Sequence, residues 1–495
     1  MNNNQINDWE LTVGLEVHIQ LSTKTKMFCT CPSRYGAEPN SLVCPICLAM
    51  PGSLPMINQK AINMAIKLGH ALNFTLNKNN TFARKNYYYP DLPKGYQITQ
   101  FDRPICENGF IEIEHNGKNY KIGITRAHLE EDSGKLIHHS DNFSFVDLNR
   151  AGCPLIEIVS EPEMHSSQEA KLYLEKLKQI IRYIDISDCN MEKGNLRVDI
   201  NVSVKKETDL NLGTRREVKN LNSFRAVQKA IDYEYKKQIE IIEEGSNIKQ
   251  CTLSWDEKNN KTKVIRKKED AHDYRYFSEP DLPDILLDEK NIEKIKNELP
   301  ELPDIKLSRF LDSYKVKKED LKTMISDSKL ADFFETIVKL TKLDQETANW
   351  ILVDMLAYMN QKGSNIDDIP IEPERIANLI ILYSNGKLSN TNRKKIFKIM
   401  LSDNRTPKQI MDEEELMIIE DENFIEELVK NIFLKNEDEF NRLKNGEMKL
   451  IGFFIGEAMK EAKGKANPKE IQKIINKQVS SNYYVRSLVI IYKKN

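Results

Sequence analysis

The sequence lacks the features of a membrane or exported protein. It has no run of about 20 consecutive apolar residues, so it offers no membrane-spanning helix. Its first residues contain no arginine and no basic segment followed by an apolar one, which argues against a secretory signal or a mitochondrial presequence. The 73 basic and 75 acidic residues leave a net charge of only −2, so a nucleic acid would have to bind at a local basic patch. We therefore expect a soluble, cytoplasmic protein.

Common signatures of nucleotide and hydrolase chemistry are also missing. The chain contains no GxxxxGK[ST] loop, no GxGxxG and no GxSxG, so a nucleotide enzyme of this sequence would be neither a P-loop nor a Rossmann protein. No internal repeat of fixed period is visible. The length of 495 residues allows roughly two to four domains with ample hydrophobic cores.

Cysteine is sparse but unevenly distributed. Four of the eight cysteines, Cys29, Cys31, Cys44 and Cys47, fall between positions 29 and 47. In a large cytoplasmic protein such a group favours a metal site over a disulfide framework. Two close pairs can supply the four thiolates of a tetrahedral zinc site, which is structural because it leaves no open position for catalysis. An iron–sulfur cluster is the alternative.

Four segments alternate apolar and polar residues in the manner of β-strands. They cover 12–21, 124–130, 155–159 and 196–204, and their polar positions hold Glu16 and His18, Arg126, His128 and Glu130, Glu157, and Arg197 and Asp199. Successive side chains of a strand point to opposite faces, so these residues could share the free face of an antiparallel sheet. Carboxylates suit Mg²⁺ that also binds substrate phosphates. The alternative is four amphipathic strands that face water.

Two segments mix basic and aromatic residues. One covers 84–100 and includes Lys85 and Tyr88, and the other covers 267–277 and includes Arg275. This mixture suits unpaired nucleotides or an adenine ring, and Arg275 could bind phosphate through two parallel hydrogen bonds. A rigid structural loop and a surface ion pair are the respective alternatives.

The pattern predicts three parts: an α+β domain over 1–295, an all-α domain over 296–405 and a small all-α tail over 406–495. Proline-rich connectors precede the change to helical periodicity. Lys463, Lys465 and Lys469 belong to a basic run in the tail. Such a run is either a solvated helix face or a contact for RNA phosphates. The residues 483–495 have no assigned role.

Several motifs together resemble the B-subunit (GatB) family of the tRNA-dependent amidotransferases. The motifs are GLEVH (14–18), RKNYYYPD (84–91), LEEDSGK (129–135), VDLNR (146–150), PLIEIVSEP (154–162), VKNLNSF (218–224), DYRYF (273–277) and KGKANP (463–468). They occur in the family's order and extend over essentially the whole chain. So many long motifs in one order make the resemblance specific.

The resemblance implies a fold and an activity. The fold is a glutamine-synthetase-like α+β cradle with an antiparallel sheet, then a helical domain and a small helical tail. The activity is ATP-dependent amidation of Glu-tRNA(Gln) and/or Asp-tRNA(Asn), in which ammonia displaces phosphate from a phosphorylated side-chain carboxylate. The amidase A-subunit supplies the ammonia, and a small C-subunit completes a heterotrimer. The alternative is a zinc-containing, tRNA-binding scaffold without an active site of its own.

The resemblance also implies roles for single residues. Glu16, His18 and Glu130 would bind Mg²⁺, and Glu131 and Glu157 are further candidates for the catalytic site. Strand parity places Glu130, rather than Glu131, with His128 if the strand continues. The predicted nucleotide- or tRNA-end-binding residues are Lys85, Tyr88, Arg126, Arg197, Asp199 and Arg275. Lys463, Lys465 and Lys469 would bind tRNA, and Cys29, Cys31, Cys44 and Cys47 match the zinc-bearing form of the family.

Overall fold

A computed structural model describes residues 8–139, 143–267, 273–418, 421–462 and 465–479. Contacts divide the chain into two compact units, Met1–Ile305 and Lys306–Asn495. Lys463 and the segment 483–495 lie outside the described residues. Among the helices that the structure describes, none combines the length and the apolar character needed to cross a membrane.

The first unit contains strands throughout. They are β1 (Trp9–Gln20), β2 (Thr75–Leu76), β3 (Asn79–Asn80), β4 (Ala83–Asn86), β5 (Tyr96–Thr99), β6 (Cys106–His115), β7 (Lys118–Glu131), β8 (Lys135–His138), β9 (Ser144–Asp147), β10 (Pro154–Ser160), β11 (Leu196–Lys206), β12 (Arg216–Leu221), β13 (Cys251–Asp256), β14 (Lys261–Lys267), β15 (Phe277–Ser278) and β16 (Ile285–Leu286). Its helices are α1 (Gln59–Ala71), α2 (Ser167–Tyr183), α3 (Phe224–Glu243) and α4 (Glu289–Asn297). These elements confirm the α+β class of this part.

Twelve of the strands form one sheet. Its order is β14-β13-β12-β11-β1-β10-β7-β5-β4-β15, and β6 and β2 continue from β7. The sheet is mixed rather than purely antiparallel, because β12 and β13 run parallel. Parallel neighbours need a crossover connection, and α3 supplies it between these two strands. The remaining pairs are short: β16 with β3, and β8 with β9.

The central strand β1 shows why the sheet has one apolar and one polar face. Val13, Val17 and Ile19 are completely buried, and the alternation turns Glu16 and His18 to the other face. Helix α1 packs on β7, α2 on β6 and α3 on β11, and their buried side chains join one core with the apolar face. Each helix has a side-chain N-cap, from Asn58, Ser166 and Ser223 respectively.

The second unit is helical. Its elements are α5 (Pro303–Ser313), which begins in the connection, α6 (Lys318–Met324), α7 (Ser328–Thr341), α8 (Asp344–Trp350), a π-helical turn (Ile351–Met355), α9 (Leu356–Lys362), a 3₁₀ turn (Ile366–Asp368), α10 (Pro373–Ser384), α11 (Asn390–Met400), α12 (Pro407–Glu413), α13 (Glu422–Lys435), α14 (Glu437–Lys444), α15 (Leu450–Glu461) and a helix over 468–479.

Apolar packing in this unit forms two clusters. One extends from Phe310 to Leu416 and the other from Ile425 to Val479. Their border lies beyond 405, because Ile410 of α12 packs with α10 and α11. The division between the two compact units falls after Ile305 rather than after 295, since the chain just after α4 still packs against the first core. The three-part division remains a prediction about folding units.

Candidate metal and phosphate site

The strand register brings polar side chains from separate parts of the chain onto one face of the sheet. Residues directly opposite each other in antiparallel strands lie on the same face. The register pairs Glu16 with Asp199, His18 with both Arg197 and Glu157, Glu157 with His128, and Asn201 with Glu217. A continuous polar strip therefore crosses β7, β10, β1, β11 and β12.

The first group of potential metal ligands is His18, Glu130 and Glu157. One ligand atom from each lies within 4.8 Å of the others. The Nε2 atom of His18 is 3.4 Å from Oε2 of Glu157 and 3.8 Å from Oε1 of Glu130. His128 lies on the other side of Glu157, with its Nε2 also 3.4 Å from Oε2. One imidazole and two carboxylates form a suitable set for a divalent cation.

Burial and charge perturb this group strongly. Burial and the nearby Glu157 charge raise the pKa of Glu130. Burial opposes the protonation of His18, but the hydrogen bond and charge of Glu157, together with Glu130, raise the pKa of His18 to about 9. Burial lowers the pKa of His128 to about 4, despite the Glu157 charge. The two close carboxylates repel each other, and a bound cation would relieve that repulsion.

The second group consists of Glu16, Asp199 and Glu217. Their ligand atoms also lie within 4.8 Å of one another. The ammonium of Lys219 bridges two of them, at 2.6 Å from Oδ2 of Asp199 and 2.8 Å from Oε1 of Glu217. Asn201 donates a hydrogen bond of 2.9 Å to Glu16, whose pKa is raised by burial and by Glu157. Three carboxylates against one ammonium leave the group net negative, as a hard cation requires.

The structure divides the predicted magnesium ligands between these groups. Glu16 joins Asp199 and Glu217, whereas His18 and Glu130 join Glu157. Because Glu16 and His18 are two residues apart on β1, the groups are separated along the strand by about 7 Å. They adjoin on one face, so two cations could bind one phosphate chain between them.

Cationic side chains lie around the first group. Nη2 of Arg197 is 2.9 Å from Oδ1 of the buried Asp132. The ammonium of Lys85 lies 4.9 Å from the ring centre of Tyr274. Burial opposes the charge of Lys85, yet the carboxylates of Glu130 and Glu157 raise its pKa. The charge of Arg126 contributes to the lowered pKa of His128, so Arg126 lies nearby as well.

Other predicted residues lie elsewhere. Strand β7 continues to Glu131, which therefore faces away from Glu130 and accepts hydrogen bonds from the backbone of Ile98 (2.9 Å) and from Lys94 (2.5 Å). Tyr88 is 86% exposed on a surface pocket. Arg275 is exposed, has a positive φ of 43°, and forms no ion pair within the described residues.

The two tail lysines that the structure describes, Lys465 and Lys469, have different surroundings. Lys465 is half-buried, and its ammonium lies 3.1 Å from Oε2 of Glu415. Lys469 is exposed near the start of the last helix, where its backbone N–H donates to Asn467. Lys463 lies outside the described residues.

The four cysteines are brought together into one cluster. Their sulfur atoms lie within 4.8 Å of one another, and those of Cys44 and Cys47 are 3.9 Å apart. A tetrahedral site with metal–sulfur bonds of about 2.3 Å has edges of roughly 3.8 Å, so the spacing fits such a metal. The ammonium of the buried Lys26 lies 3.7 Å from Sγ of Cys47. A hydrogen bond from Cys29, aided by this ammonium, lowers the pKa of Cys47 to about 4.

Comparison with known proteins gives the same assignment over both units. Residues 11–293 match the model of the GatB/GatE catalytic domain, and residues 332–479 match that of the GatB domain. The B-subunit of the aspartyl/glutamyl-tRNA(Asn/Gln) amidotransferase of Thermodesulfovibrio yellowstonii is 47% identical over 469 residues, which cover 95% of this chain and 99% of the relative. The B-subunits of the same name from Thermoanaerobacter pseudethanolicus and Clostridium tetani are 46% and 45% identical, over 95% and 96% of this chain and 99% of each relative.

The chain belongs to the GatB family. The match to the GatB/GatE catalytic domain contains both carboxylate groups and the four cysteines. The match to the GatB domain contains Lys465 and Lys469. The resemblance of the motifs to the GatB family is therefore confirmed over nearly the whole chain. The roles of the individual residues remain predictions.

The structure also reveals members of the site that the sequence predictions omitted. Glu217 belongs to the second group, and Lys219 contacts it. His128 was predicted on the polar face without a role, and it contacts Glu157 of the first group. The sequence does contain a pattern that could have indicated Glu217. Glu217 and Lys219 flank the apolar Val218, which is the alternation of polar and apolar residues typical of a β-strand. The strand is short, however, and the GatB motif at 218–224 begins one residue after Glu217.

Proposed function

We propose that this chain carries the amidation site of a tRNA-dependent amidotransferase. It would convert Glu-tRNA(Gln) and/or Asp-tRNA(Asn) into Gln-tRNA(Gln) and/or Asn-tRNA(Asn) at the expense of ATP. The enzyme is then a carbon–nitrogen ligase that uses glutamine as its amido-nitrogen donor. The observation that carries this proposal is the pair of adjoining carboxylate groups on one sheet face, in a chain of the GatB family.

The proposed reaction has two steps. The γ-phosphoryl group of ATP passes to an oxygen of the substrate's side-chain carboxylate, which releases ADP and forms an acyl phosphate. Ammonia then attacks the acyl carbon, the C–O bond to phosphate breaks, and ammonia loses a proton as the amide forms. Phosphoryl transfer depends mainly on positioning and on neutralising phosphate charge.

The chain's residues fit these demands. His18, Glu130 and Glu157 would hold one Mg²⁺, and Glu16, Asp199 and Glu217 a second. A bound Mg²⁺ ion would neutralise negative charge on the phosphoryl oxygens. Lys85 and Arg197 lie near the first group, where their charges would attract phosphate and the substrate carboxylate. Glu131 would keep a structural role through its contacts with Ile98 and Lys94.

The cysteine cluster would bind a structural zinc ion. All four positions of a tetrahedral site are filled by sulfur, so zinc there would support the segment 29–47 without taking part in the reaction. The buried ammonium of Lys26 reduces the negative charge that four thiolates around Zn²⁺ would leave.

The chain would act with other molecules in the cytoplasm. The amidase A-subunit would release ammonia from glutamine, and a small C-subunit would complete the heterotrimer. The tail lysines Lys463, Lys465 and Lys469 would contact tRNA phosphates. A tRNA-binding scaffold without an active site is not favoured, because a scaffold has no need of six acidic or imidazole ligands arranged in two groups.

The test is a reconstituted reaction without the amidase. The chain and its small partner are mixed with ATP, Mg²⁺, ammonium and Glu-tRNA(Gln), and Gln-tRNA and ADP are measured. We expect amide formation that requires both ATP and the misacylated tRNA. Glu157→Gln should abolish it while tRNA binding persists. An absence of ADP together with normal tRNA binding would contradict the proposal and favour the scaffold.

A further inference from the structure

Asp132 is a buried carboxylate that contacts an arginine of the polar face but belongs to neither group of potential ligands. It follows Glu131, the last residue of β7, and its side chain is only 2% exposed. Its Oδ1 lies 2.9 Å from Nη2 of Arg197, and the strand register places Arg197 opposite His18. A buried charge costs free energy unless it is paired, so Asp132 depends on this contact.

Hydrogen bonds hold the Asp132 carboxylate in one position. The backbone N–H of Asp132 donates to the carbonyl oxygen of Cys153, and its own carbonyl oxygen accepts from the N–H of Gly152, both over 2.8 Å. Its Oδ1 also accepts a hydrogen bond of 2.9 Å from the N–H of Ser133. Gly152 is fixed in turn, because its carbonyl oxygen accepts from the N–H of Met27 over 2.7 Å. Asp132 is therefore a rigid support for the side chain that contacts it.

A second arginine near Asp132 has other partners. Nε of Arg150 lies 3.4 Å from Oδ2 of Asp132 but donates a hydrogen bond of 3.0 Å to the carbonyl oxygen of Ser133. Its Nη2 donates to the carbonyl oxygen of Gly134 over 2.7 Å. Arg150 thus stabilises the turn after β7, and Arg197 is the arginine that Asp132 can orient.

Most of the donors of Arg197 are unused. A guanidinium carries five N–H donors in one plane. Within the described residues, Arg197 forms no ion pair or hydrogen bond other than the contact with Asp132, and its buried Nε has no partner. The side chain is 36% exposed, so a ligand on the polar face can reach it. Planar donors held in one orientation suit the paired oxygens of a carboxylate or a phosphate.

Other carboxylates compete for this guanidinium. Burial opposes the charge of Arg197, and the Asp132 carboxylate raises its pKa. The charges of Glu130 and Asp199 raise it further, and these two residues belong to the two groups that would bind cations. A guanidinium that turned towards them would compete with a cation and would no longer face an anion.

We infer that Asp132 is a positioning residue. It holds Arg197 away from the cation ligands and keeps the unused N–H groups of Arg197 available to an anionic oxygen of the reactants. The inference rests on the proposed function. The anion is either a phosphate of ATP or the side-chain carboxylate of the misacylated tRNA.

The first test compares Asp132→Asn with the matched control Asp354→Asn in the complete amidotransferase complex. Asp354 is also buried and lies 2.8 Å from Arg393, but this pair belongs to the helical unit. The rate of Gln-tRNA formation is measured with ATP and Glu-tRNA(Gln) varied in turn. We expect Asp132→Asn to lower kcat/KM about ten- to a hundred-fold, the range of one hydrogen bond to a charged group. Asp354→Asn should lower the melting temperature and leave kcat/KM within about two-fold.

The two substrates distinguish the two anions. A raised KM for ATP in Asp132→Asn would assign the phosphate to Arg197, and a raised KM for Glu-tRNA(Gln) would assign the side-chain carboxylate.

The second test asks whether Asp132 acts through Arg197. Arg197→Gln should lower kcat/KM at least as much as Asp132→Asn. Adding Asp132→Asn to Arg197→Gln should then change kcat/KM by less than about three-fold, because the residue that Asp132 positions is already lost. Independent roles would instead multiply the two effects.

Arg197→Lys decides the question if Asp132→Asn does not fold. It retains the charge, but a single ammonium cannot contact Asp132 and also present planar donors to an anion. We expect the same loss of kcat/KM as in Arg197→Gln.

Normal kinetics of a folded Asp132→Asn, full activity of Arg197→Lys, or multiplied effects in the double variant would each overturn the inference. Failure of the proposed function gives a different result, because the unaltered complex itself would then show no ATP-dependent amide formation.

Discussion

Glu217→Gln tests the second carboxylate group at a residue that sequence patterns did not single out. The substitution retains the side-chain shape and a hydrogen-bond acceptor for Thr252 but removes one of three negative charges. Opposite unit charges about 4 Å apart at an effective dielectric constant of 20 attract by about 4 kcal/mol. Lys219, which now contacts both Glu217 and Asp199, would then neutralise Asp199 alone.

We take about half of that energy, roughly 2 kcal/mol, as the loss in the free energy of cation binding. This loss corresponds to a dissociation constant about thirty-fold higher. The assay follows Gln-tRNA formation at saturating ATP as Mg²⁺ is varied. We expect the Mg²⁺ concentration for half-maximal rate to rise about thirty-fold, with partial recovery of the rate at high Mg²⁺.

Glu112→Gln is the matched control. Glu112 is an exposed glutamate on β6 of the same sheet, so the same change of charge there should leave the Mg²⁺ dependence unaltered. If Glu217→Gln retained the normal Mg²⁺ dependence and rate, the second group would not be a cation site. A thermal melt of each variant separates this result from a loss of folding.

The placement of other residues leads to three more expected outcomes. Glu131→Gln should lower the free energy of unfolding by about 1–3 kcal/mol in denaturant titrations, because Glu131 accepts a buried hydrogen bond from Ile98. It should leave the Mg²⁺ dependence of the reaction unchanged, because Glu131 faces away from both carboxylate groups, and a shifted Mg²⁺ dependence would contradict this. Cys47→Ser should lose the bound metal, measured by elemental analysis, and lower the melting temperature, whereas retained metal would argue against the four-thiolate site. Removing 421–495 should weaken tRNA affinity more than the rate at saturating tRNA. Removing 406–495 should in addition destabilise the helical core, since Ile410 is buried there, and equal melting temperatures of the two truncations would contradict this.

Local patterns predicted much of the fold because β-strands and amphipathic helices have short periods. The alternation around Glu16 and His18 correctly placed an apolar and a polar face on β1. The same reasoning could not predict that β12 and β13 run parallel, because strand direction depends on the path of α3 across the sheet. The border of the last apolar cluster was also beyond local patterns, since it depends on which helices Ile410 contacts.

Site residues were predicted by type more readily than by grouping. Strand parity correctly separated Glu130 from Glu131, because β7 continues without a turn between them. Glu16 was expected beside Glu130 but lies with Asp199 and Glu217. Which carboxylates meet depends on the register between strands that are far apart in the sequence, and no pattern within one strand contains that information.

The sequence by itself determined the class of the first unit, the polar face of its central strands, the close spacing of four cysteines and membership of the GatB family. These depend on residue type and short-range spacing. Only the tertiary structure decided that the carboxylates form two groups and that Glu217 belongs to one of them. The physical reason is that a site is made by contacts across strands, whose register is set by packing of the whole core.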